Sequence, residues 1–520
     1  ISLSKLGVNE LGFIFHEKSP GFKIVELFED LDFSALRLNL SAGASSLDLL
    51  TMLVEWLQAT NINKDSFSGG IEYNPLGSLV LSDKFYSSEA DDMKQAYKLI
   101  KLRLGNAPNI KVLSLSGDIF SNLGCTIVEE LGFSLAMASE YIAQISKMGI
   151  NPSDIANSMQ LNLGIGPNYF FEIAKIRSAR WLWSVLAKAY EAKDAGKIFI
   201  QSVPTSFNKT RFDPYVNMLR YTTEALSAAI GGANSINIFP FNSIEKQAGD
   251  FSERIARNTQ IILKEESYIN KINDPAAGSY YIENLTNSIA ERSWELFQNI
   301  ESQGGFLKAY KKGIIQEQIE KSRKIRQGNI SGRKEILVGT NHYPNLIETS
   351  SGPEKHDGTQ KGKPGTENSK KFMEKRGAYE FEKLREAVNL SGNKLAILFP
   401  FGNPATRSAR TTFASGFIGC SGFEIKDLTG IKNIEEGIKI CSKLKPELIV
   451  LCSSDEEYPL LVPKIIEKVQ PGPVFVIAGN PTDSKDKLNS LGIHHFIHTK
   501  SNIFETLSQI LMDAGVHLPG

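Results

Sequence analysis

The strand-to-helix turn Gly164–Pro167 (Gly-Ile-Gly-Pro) is the most promising place for chemistry in this sequence. The residues before it, from Met159, are short-chained or apolar, as in a strand buried in a parallel sheet. From Asn168 the apolar residues fall at helical spacing, with Arg177 and Arg180 between them. In α/β proteins such a turn is where ligands usually bind. The same pattern is equally typical of a βα unit that has no ligand of its own.

Histidine and cysteine side chains supply the other candidate ligands. His494, His495 and His498 fall in the last predicted strand, and we interpret them as structural residues. The cysteines have no metal-ligand spacing, which is typical of reduced thiols in a cytoplasmic protein. They are Cys125, Cys420, Cys441 and Cys452. We therefore predict no metal site in this chain.

Arginines and tyrosines on predicted helices form a further group of candidates. An arginine on a helix face is more often salt-bridged than ligand-bound, so we predict that these arginines belong to the structure. They are Arg177, Arg180, Arg254 and Arg257. For Tyr280 and Tyr281 we likewise predict packing roles.

The composition is typical of a soluble globular protein without charge bias. Of 520 residues, 41% are hydrophobic and 22% are charged, and Lys+Arg equals Asp+Glu at 58 each. This balance argues against a nucleic-acid partner, and no apolar run approaches the roughly 20 residues that span a bilayer. No signal-peptide pattern is present, so we predict a cytoplasmic location. The length predicts two or three domains.

Strand and helix signals alternate in the first half of the chain, which predicts a βα repeat. The predicted strands are Leu11–His16, Leu36–Leu40, Phe67–Tyr73, Ile110–Leu115, Met159–Ile165, Ile198–Val203 and Ser235–Phe239. Seven strands are one fewer than a (β/α)₈ barrel needs, and an open doubly wound sheet is the alternative. Because the sequence begins with Ile1 rather than methionine, we favour a TIM-type barrel whose first strand is missing.

A change in composition separates this region from a second series of strands. We predict a barrel with a helical extension at 1–335 and a flexible linker at 336–375. The linker is rich in Gly, Ser, Thr, Pro, Lys and Glu, so it buries too little apolar surface to offset its ordering entropy. Five strands alternate with helices at 376–520, which predicts a flavodoxin-like domain. These strands are Leu395–Phe399, Phe423–Leu428, Leu448–Cys452, Val474–Ala478 and His494–His498.

Three blocks of the sequence are long enough to compare with known families. They are Gly166–Lys175 (GPNYFFEIAK), Asp250–Gln260 (DFSERIARNTQ) and Asp274–Tyr281 (DPAAGSYY). In this order they resemble the adenosylcobalamin-dependent acyl-CoA mutases, and the resemblance runs from about Leu11 to the C-terminus, apart from the linker. Within that family the chain most resembles the small (beta) subunits of methylmalonyl-CoA mutase. The resemblance implies a barrel, a linker and a flavodoxin-like domain of the cobalamin-binding type.

The sequence departs from the family where the cobalt ligand is expected. The family's ligand is a histidine in a DxHxxG motif, on the loop after the first strand of the flavodoxin-like domain, with the aspartate orienting its ring. The corresponding loop here, Phe399–Arg410, contains neither histidine nor aspartate. Where the family lines the nucleotide tail, this chain has Ser453–Glu457 (SSDEE) and Ala478–Pro481 (AGNP). We interpret the first of these as a solvated acidic loop.

A second departure concerns the substrate site. The family has a Tyr-His pair after the fifth barrel strand, which contacts the thioester and carboxylate of the substrate. At the matching place Asp118 replaces the tyrosine and Ile119 replaces the histidine. Isoleucine can neither donate a hydrogen bond nor transfer a proton, and an aspartate repels an anionic acyl-CoA.

These departures predict a chain with no catalytic, cofactor-binding or metal-binding residues of its own. The resemblance implies a non-catalytic, stabilising subunit of a heterodimeric methylmalonyl-CoA mutase, an isomerase that interconverts methylmalonyl-CoA and succinyl-CoA. We expect a catalytic large subunit as the partner, holding both the acyl-CoA substrate and adenosylcobalamin. Two alternatives remain open: an active acyl-CoA mutase with atypical ligands, and an interaction module that recruits a cobalamin-loading chaperone.

Overall fold

Parallel strands alternate with helices throughout the chain. A computed structural model describes residues 8–15, 28, 36–60, 64–65, 67–244, 249–348, 375–392, 394–469 and 471–518. The three sheets in these residues contain only parallel pairs. The protein is therefore a mixed α/β protein, as the alternating signals predict.

The described residues divide into two compact units. The first contains residues 8–207 and 218–323, together with Lys375, and the second contains 208–217, 324–348 and 376–518. The segment 208–217 therefore belongs to the second unit, although the residues on both sides of it in the sequence belong to the first. Sequence periodicity gives no sign of this, because it reports on local structure alone.

Two four-stranded sheets form the centre of the first unit. Their orders are β1-β2-β3-β4 and β5-β6-β7-β8. The strands are β1 (Glu10–Ile14), β2 (Arg37–Ser41), β3 (Ser68–Ile71), β4 (Ile110–Lys111), β5 (Leu113–Ser116), β6 (Met159–Ile165), β7 (Phe199–Pro204) and β8 (Ser235–Ile236). All seven predicted strands are present, and the fourth is divided at Val112 into β4 and β5. All seven side chains of β6 are buried, which explains its continuous run of small and apolar residues.

Helices follow nearly every strand of this unit. They are α1 (Ser46–Thr60), α2 (Pro75–Ser82), α3 (Glu89–Asn106), α4 (Asp118–Asn122), α5 (Ile127–Ser146), α6 (Pro152–Asn157), α7 (Tyr169–Ala189), α8 (Tyr215–Ile230), α9 (Asp250–Glu265), α10 (Tyr280–Ser302), α11 (Phe306–Lys311) and α12 (Ile314–Ser331). The first residues of α8 and the last of α12 belong to the second unit.

Helix α5 begins at a capping box. The hydroxyl of Thr126 accepts a hydrogen bond from the backbone N–H of Glu129 (3.3 Å), and the Glu129 carboxylate accepts one from the backbone N–H of Thr126 (2.7 Å). This arrangement satisfies two backbone donors that the first turn would otherwise leave unpaired. It fixes the start of a 20-residue helix that carries a buried carboxylate, Glu130, into the interior.

A five-stranded parallel sheet forms the second unit. Its strands are β9 (Leu395–Pro400), β10 (Glu424–Asp427), β11 (Leu448–Cys452), β12 (Val474–Ala478) and β13 (His495–Ile497), in the order β10-β9-β11-β12-β13. The remaining helices are α13 (Tyr379–Leu390), α14 (Pro404–Ile418), α15 (Ile434–Leu444), α16 (Tyr458–Lys468), α17 (Lys485–Ser490) and α18 (Ile503–Asp513). Every side chain of β11, the central strand, is buried.

Helix α13 holds the segment 208–217 within this unit. The carboxylate of Glu382 accepts hydrogen bonds from the backbone N–H of Arg211 (2.7 Å) and from Arg376 (2.9 Å). Arg376 also donates to the backbone carbonyl of Lys209 (3.0 Å). A buried ion pair stabilises a segment only when its charged groups also form hydrogen bonds. Both oxygens of the Glu382 carboxylate form them here.

The predicted linker, 336–375, lies mostly outside the described residues, which exclude 349–374. Its described beginning is held in place. Asn341 is buried, accepts a hydrogen bond from the N–H of Leu337 (2.8 Å) and donates to the carbonyl of Ile330 (2.7 Å). Glu348 pairs with Arg385 at 3.0 Å.

We predict that Leu451→Ala in β11 destabilises the second unit by about 2–5 kcal/mol, because it leaves a cavity in the core. Leu451 is fully buried. Hydrogen exchange measured by mass spectrometry should show faster exchange in the five-stranded sheet. The matched control is Leu460→Ala, because Leu460 is exposed in the same unit. Equal protection in both variants would contradict this description of the core.

Candidate functional site

The turn between β6 and α7 has the geometry that the sequence predicts, with a close approach at its start. A Cβ on Gly164 would lie 2.5 Å from the Cβ of Ser121 in α4. Only glycine fits there, so Gly164 is required for packing. No side-chain ligand is needed to explain it.

Beneath this turn lies a buried cluster of one lysine and two glutamates. The Lys175 ammonium lies 2.8 Å from Oε2 of Glu130 and 2.6 Å from Oε2 of Glu172, and all three side chains are buried. Lys175 also donates to the carbonyl of Gly164, and Glu130 accepts from the N–H of Gly164 (2.6 Å). The cluster therefore joins α5, α7 and the end of β6 with charge-assisted hydrogen bonds.

Burial determines the protonation of this cluster. Burial raises the pKa of Glu130 to about 7, although Lys175 acts in the opposite direction. Burial by itself would lower the pKa of Lys175, but Glu130 and Glu172 outweigh it and raise the pKa. Lys175 is thus a cation held by two carboxyl groups. Lys175 is therefore not a neutral amine that could act as a base or a nucleophile.

Asp118 and Ile119 lie at the start of α4, directly after β5. Burial raises the pKa of Asp118 to about 7, and the negative charges of Glu72 and Glu130 add to the effect. Its Oδ1 is shielded from solvent and has no hydrogen-bond partner in the described part of the chain. Ile119 is buried in the hydrophobic core of the unit. This place therefore offers an apolar side chain and a carboxyl group that is easily protonated.

Polar side chains occupy the other end of the strands in this unit. The Arg37 guanidinium lies 3.4 Å from Glu10, donates to Gln160 (3.2 Å) and lies 3.7 Å above the centre of the Phe199 ring. These residues come from β1, β2, β6 and β7. A Cβ on Gly70 would lie 2.6 Å from the side-chain oxygen of Gln160. The space between these strands is filled by the protein's own side chains.

In the second unit a glutamate lies against the loop after β9. Gly402 has φ +73°, and a Cβ there would overlap the carboxylate of Glu457. That carboxylate accepts hydrogen bonds from the hydroxyls of Ser453 and Ser454, the latter at 3.0 Å, and from the N–H of Asn403 (3.3 Å). The hydrogen bond from Ser453 is the main reason that the pKa of Glu457 is lowered.

Residues next to Glu457 form further contacts at the same edge of the sheet. The Tyr458 hydroxyl donates to the carbonyl of Ala478 (2.8 Å) and accepts from the N–H of Ser453 (2.9 Å), which ties β11 to β12. Arg410 pairs with Asp455 at 3.1 Å. Segment 453–457 is therefore only partly the solvated acidic loop that we predicted. Glu456 is exposed, whereas Asp455 and Glu457 have partners inside the unit.

His495 and His498 have hydrogen-bond partners in the second unit, whereas His494 is exposed. Nε2 of His495 lies 2.7 Å from Oδ2 of Asp513, and Nδ1 of His498 accepts from the N–H of Lys500 (3.2 Å). All four cysteines are buried, and none of them is in a disulfide bond. Among the residues that the structure describes, no group of three His, Cys, Asp or Glu side chains could hold a metal ion. No helix in the described ranges is long and apolar enough to cross a membrane.

The arginines divide into two groups. Arg177 forms the predicted ion pairs, with Asp274 at 3.1 Å and Glu283 at 2.8 Å. Arg180 is structural in a different way, since it donates to the carbonyl of Ile198 (3.1 Å) and to Asn234 (2.8 Å). The predicted ion pairs are wrong for Arg254 and Arg257. Neither forms one with another described residue: Arg254 is exposed on helix α9, and Arg257 is half-buried there.

The packing role predicted for the two tyrosines is wrong for Tyr280, whereas the Tyr281 ring contacts the Phe170 ring edge to face, with the centroids 5.6 Å apart. Tyr280 is 90% exposed and Tyr281 is 53% exposed. The physical reason is that α10 buries the side of the helix that carries Ile282, Thr286 and Ile289, and its first two residues lie beyond that contact.

Sequence reasoning missed the two side chains that fill the candidate sites. For Lys175 a signal existed, because it lies three, four and seven residues before Ser178, Ala179 and Leu182, all on the buried face of α7. A lysine on such a face needs a buried anion. For Glu457 no local signal existed, because its partners come from the loop after a different strand.

Comparison with known proteins identifies the family of this chain. Residues 22–409 match the family model described as methylmalonyl-CoA mutase. The methylmalonyl-CoA mutase small subunit of Porphyromonas gingivalis is 36% identical over 522 residues, which cover 98% of this chain and 82% of that protein. The probable methylmalonyl-CoA mutase small subunit of Mycobacterium bovis is 29% identical, over 79% of this chain and 66% of that protein. The methylmalonyl-CoA mutase of Rhizobium meliloti is 31% identical, over 61% of this chain and 45% of that protein.

We predict that Asp118→Asn stabilises the first unit in a pH-dependent way. The folded pKa of Asp118, about 7, lies above the unfolded value of about 4, so the native state binds the proton more tightly. The wild type should therefore lose stability between about pH 4 and pH 7, by up to about 4 kcal/mol. Asparagine has no proton to lose, so the advantage of the variant should grow over this range and level off above it. Denaturant unfolding at pH 5 and pH 8 measures this, and an equal effect at both pH values would contradict it.

Proposed function

Because this chain belongs to the methylmalonyl-CoA mutase family, we propose that it is the small, non-catalytic subunit of a heterodimeric mutase. In this proposal a large subunit holds adenosylcobalamin and the acyl-CoA, and the pair interconverts methylmalonyl-CoA and succinyl-CoA. Relatives from two organisms that cover most of this chain carry the name small subunit, which supports a large-subunit partner.

The position of Glu457 is the single observation that carries the proposal. The strand order β10-β9-β11-β12-β13 is the 2-1-3-4-5 order of flavodoxin-like domains, which supports that fold for the second unit. Such domains bind ligands at the carboxyl ends of the strands, where the strand order reverses, here between β9 and β11. Glu457 lies there, against Gly402.

The residues at this edge do not fit a cobalamin. A carboxylate with a lowered pKa is charged at neutral pH and repels a phosphate-bearing nucleotide tail. The loop 399–410 has no histidine to ligate cobalt. Asn403 occupies the N-terminus of α14 instead, accepting from the N–H of Ala405 (3.0 Å). We therefore propose that the cofactor is bound by the partner alone.

The first unit supports the same conclusion independently. The parallel strands, of which β4 and β5 are two parts of one predicted strand, support the predicted (β/α)₈ type of barrel without its first strand, in which catalytic residues stand at the carboxyl ends of the strands. At those ends this chain has Asp118, Ile119 and Lys175, whose ammonium group is paired with Glu130 and Glu172. Arg37 and Gln160 fill the space at the opposite ends. Ile119 cannot transfer a proton, and Asp118 repels an anionic acyl-CoA when its carboxyl group is charged, so we propose that the partner binds the acyl-CoA.

A subunit that has no active site can still stabilise the subunit it binds. A partner that binds only the native state stabilises that state by mass action, by about 4 kcal/mol at a concentration 1,000 times Kd. We propose that this stabilisation of the large subunit is the function of the chain.

Turnover of methylmalonyl-CoA with added adenosylcobalamin tests the proposal. We expect activity from the pair and none from this chain alone, and we expect Glu457→Gln in this chain to leave kcat and KM of the pair unchanged. Turnover by the chain alone would favour an active mutase with atypical ligands. Co-purification from native extract with a nucleotide-binding chaperone, in place of a paralogous chain at one-to-one stoichiometry, would favour the recruiting module.

A further inference from the structure

A lysine in the short strand β4 of the first unit lies among cations. The Lys111 ammonium donates a hydrogen bond to the backbone carbonyl of Asn157, the last residue of α6 (2.7 Å). No carboxylate in the described part of the chain lies within ion-pair distance of it, whereas Arg103 and Arg37 add positive charge. A lysine that is largely buried normally has an anion beside it, so this setting requires an explanation.

The strand register places Lys111 and Arg37 on the same face of their sheet. Gly70 in β3 lies opposite Asn39 in β2 and opposite Lys111 in β4. Residues paired in neighbouring parallel strands point to one face, and so do residues two apart in a strand. Arg37 precedes Asn39 by two residues and therefore shares this face. A Cβ on Gly70 would lie 2.6 Å from the Gln160 side chain of β6, so the face is turned inward.

Arg103 holds its guanidinium against the backbone that leads into Lys111. Its Nε donates to the carbonyl of Ile110 (2.9 Å), and its Nη2 donates to the carbonyl of Pro108. The side chain is buried. Asp154 attracts it from beyond ion-pair distance, and no described carboxylate forms an ion pair with it. The hydrogen bonds of Arg103 are thus to neutral carbonyls, which leave its charge uncompensated.

Arg37 has a donor to spare. Its guanidinium lies 3.4 Å from Glu10, and its Nη2 donates to Gln160 (3.2 Å). Its Nε is shielded from solvent and has no hydrogen-bond partner among the residues that the structure describes. The group around Lys111 therefore has more cations than carboxylates, with Arg37, Arg103 and Lys111 on one side and Glu10 and Asp154 on the other.

This surplus of positive charge changes the chemistry of the amine. Burial, and then the charges of Arg103 and Arg37, lower the pKa of Lys111 to about 8. At pH 7.5 about a quarter of such amines are neutral, compared with about 0.1% of ordinary lysine amines. A neutral amine is a nucleophile. Because Lys111 is partly exposed, a small electrophile reaches it from solvent.

We propose that Lys111 is a site of carbamate formation, at which its amine adds carbon dioxide. The nitrogen lone pair forms a bond to the carbon, one carbon–oxygen π bond breaks to leave a carboxylate oxygen, and the nitrogen releases a proton to water. The reaction needs no oxidant and no further reactant. Its product is an anion, for which Arg103 and Arg37 are the counter-charges. The inference concerns this chain alone and does not depend on the proposed function.

Trapping of carbamates on the purified chain tests this proposal. The chain is equilibrated with ¹³C-labelled bicarbonate at pH 7.5, its carbamates are alkylated to stable esters, and peptide mapping by mass spectrometry locates the label. We expect label at Lys111 and at least about 10-fold less at Lys98, an exposed lysine of the same unit, because few ordinary amines are neutral at this pH. Lys111→Arg should abolish the carbamate signal in the ¹³C NMR spectrum, and Lys98→Arg should leave it unchanged.

Two results would overturn the proposal. One is label at Lys111 no higher than at Lys98. The other is a Lys111 that reacts with a larger electrophile, such as an acyl thioester, but takes no label from carbon dioxide, because the site would then serve a different substrate. Peptide mapping of the wild-type chain gives the answer even if Lys111→Arg fails to fold.

Discussion

A buried charge must be neutralised where it lies, and this requirement shapes the carboxyl ends of the strands in the first unit. Lys175 cannot reach solvent, so Glu130 and Glu172 pair with it. The same cluster holds both backbone groups of Gly164. Removing one partner from a buried pair typically costs about 3–5 kcal/mol. In other proteins of this architecture such a turn binds a ligand, but here the backbone of Gly164 is already hydrogen-bonded to Glu130 and Lys175.

The second unit meets the same requirement with different residues. Glu457 obtains its hydrogen bonds from two serines and from the backbone of Asn403, and Asp455 obtains a cation from Arg410. In both units the charged groups of these clusters are paired within the chain, whereas Oδ1 of the buried Asp118 has no hydrogen-bond partner among the described residues. A ligand would have to break these interactions before it gained any of its own. In the proposed function, the chain keeps the fold of its family and leaves catalysis to its partner.

Sequence patterns predict the fold well because they report on local burial. The run of buried side chains in β6 and the helical spacing in α7 place both elements within a few residues. The substitutions at Asp118 and Ile119 are also readable from sequence. By contrast, contacts between distant segments, such as Glu457 with Gly402 or Arg211 with Glu382, leave no local trace. The exposure of Tyr280 could not be predicted either, because helical spacing does not show where along α10 the contact with its neighbours begins.

The central claim is that this chain holds no cofactor of its own. A visible-spectrum titration with adenosylcobalamin, first of the purified chain and then of the chain with its large subunit, tests it most directly. The account predicts no spectral change with the chain alone, and binding of one cobalamin per pair. A base-off, ligand-bound spectrum from the chain alone would contradict it, and would show that the edge filled by Glu457 opens to the cofactor.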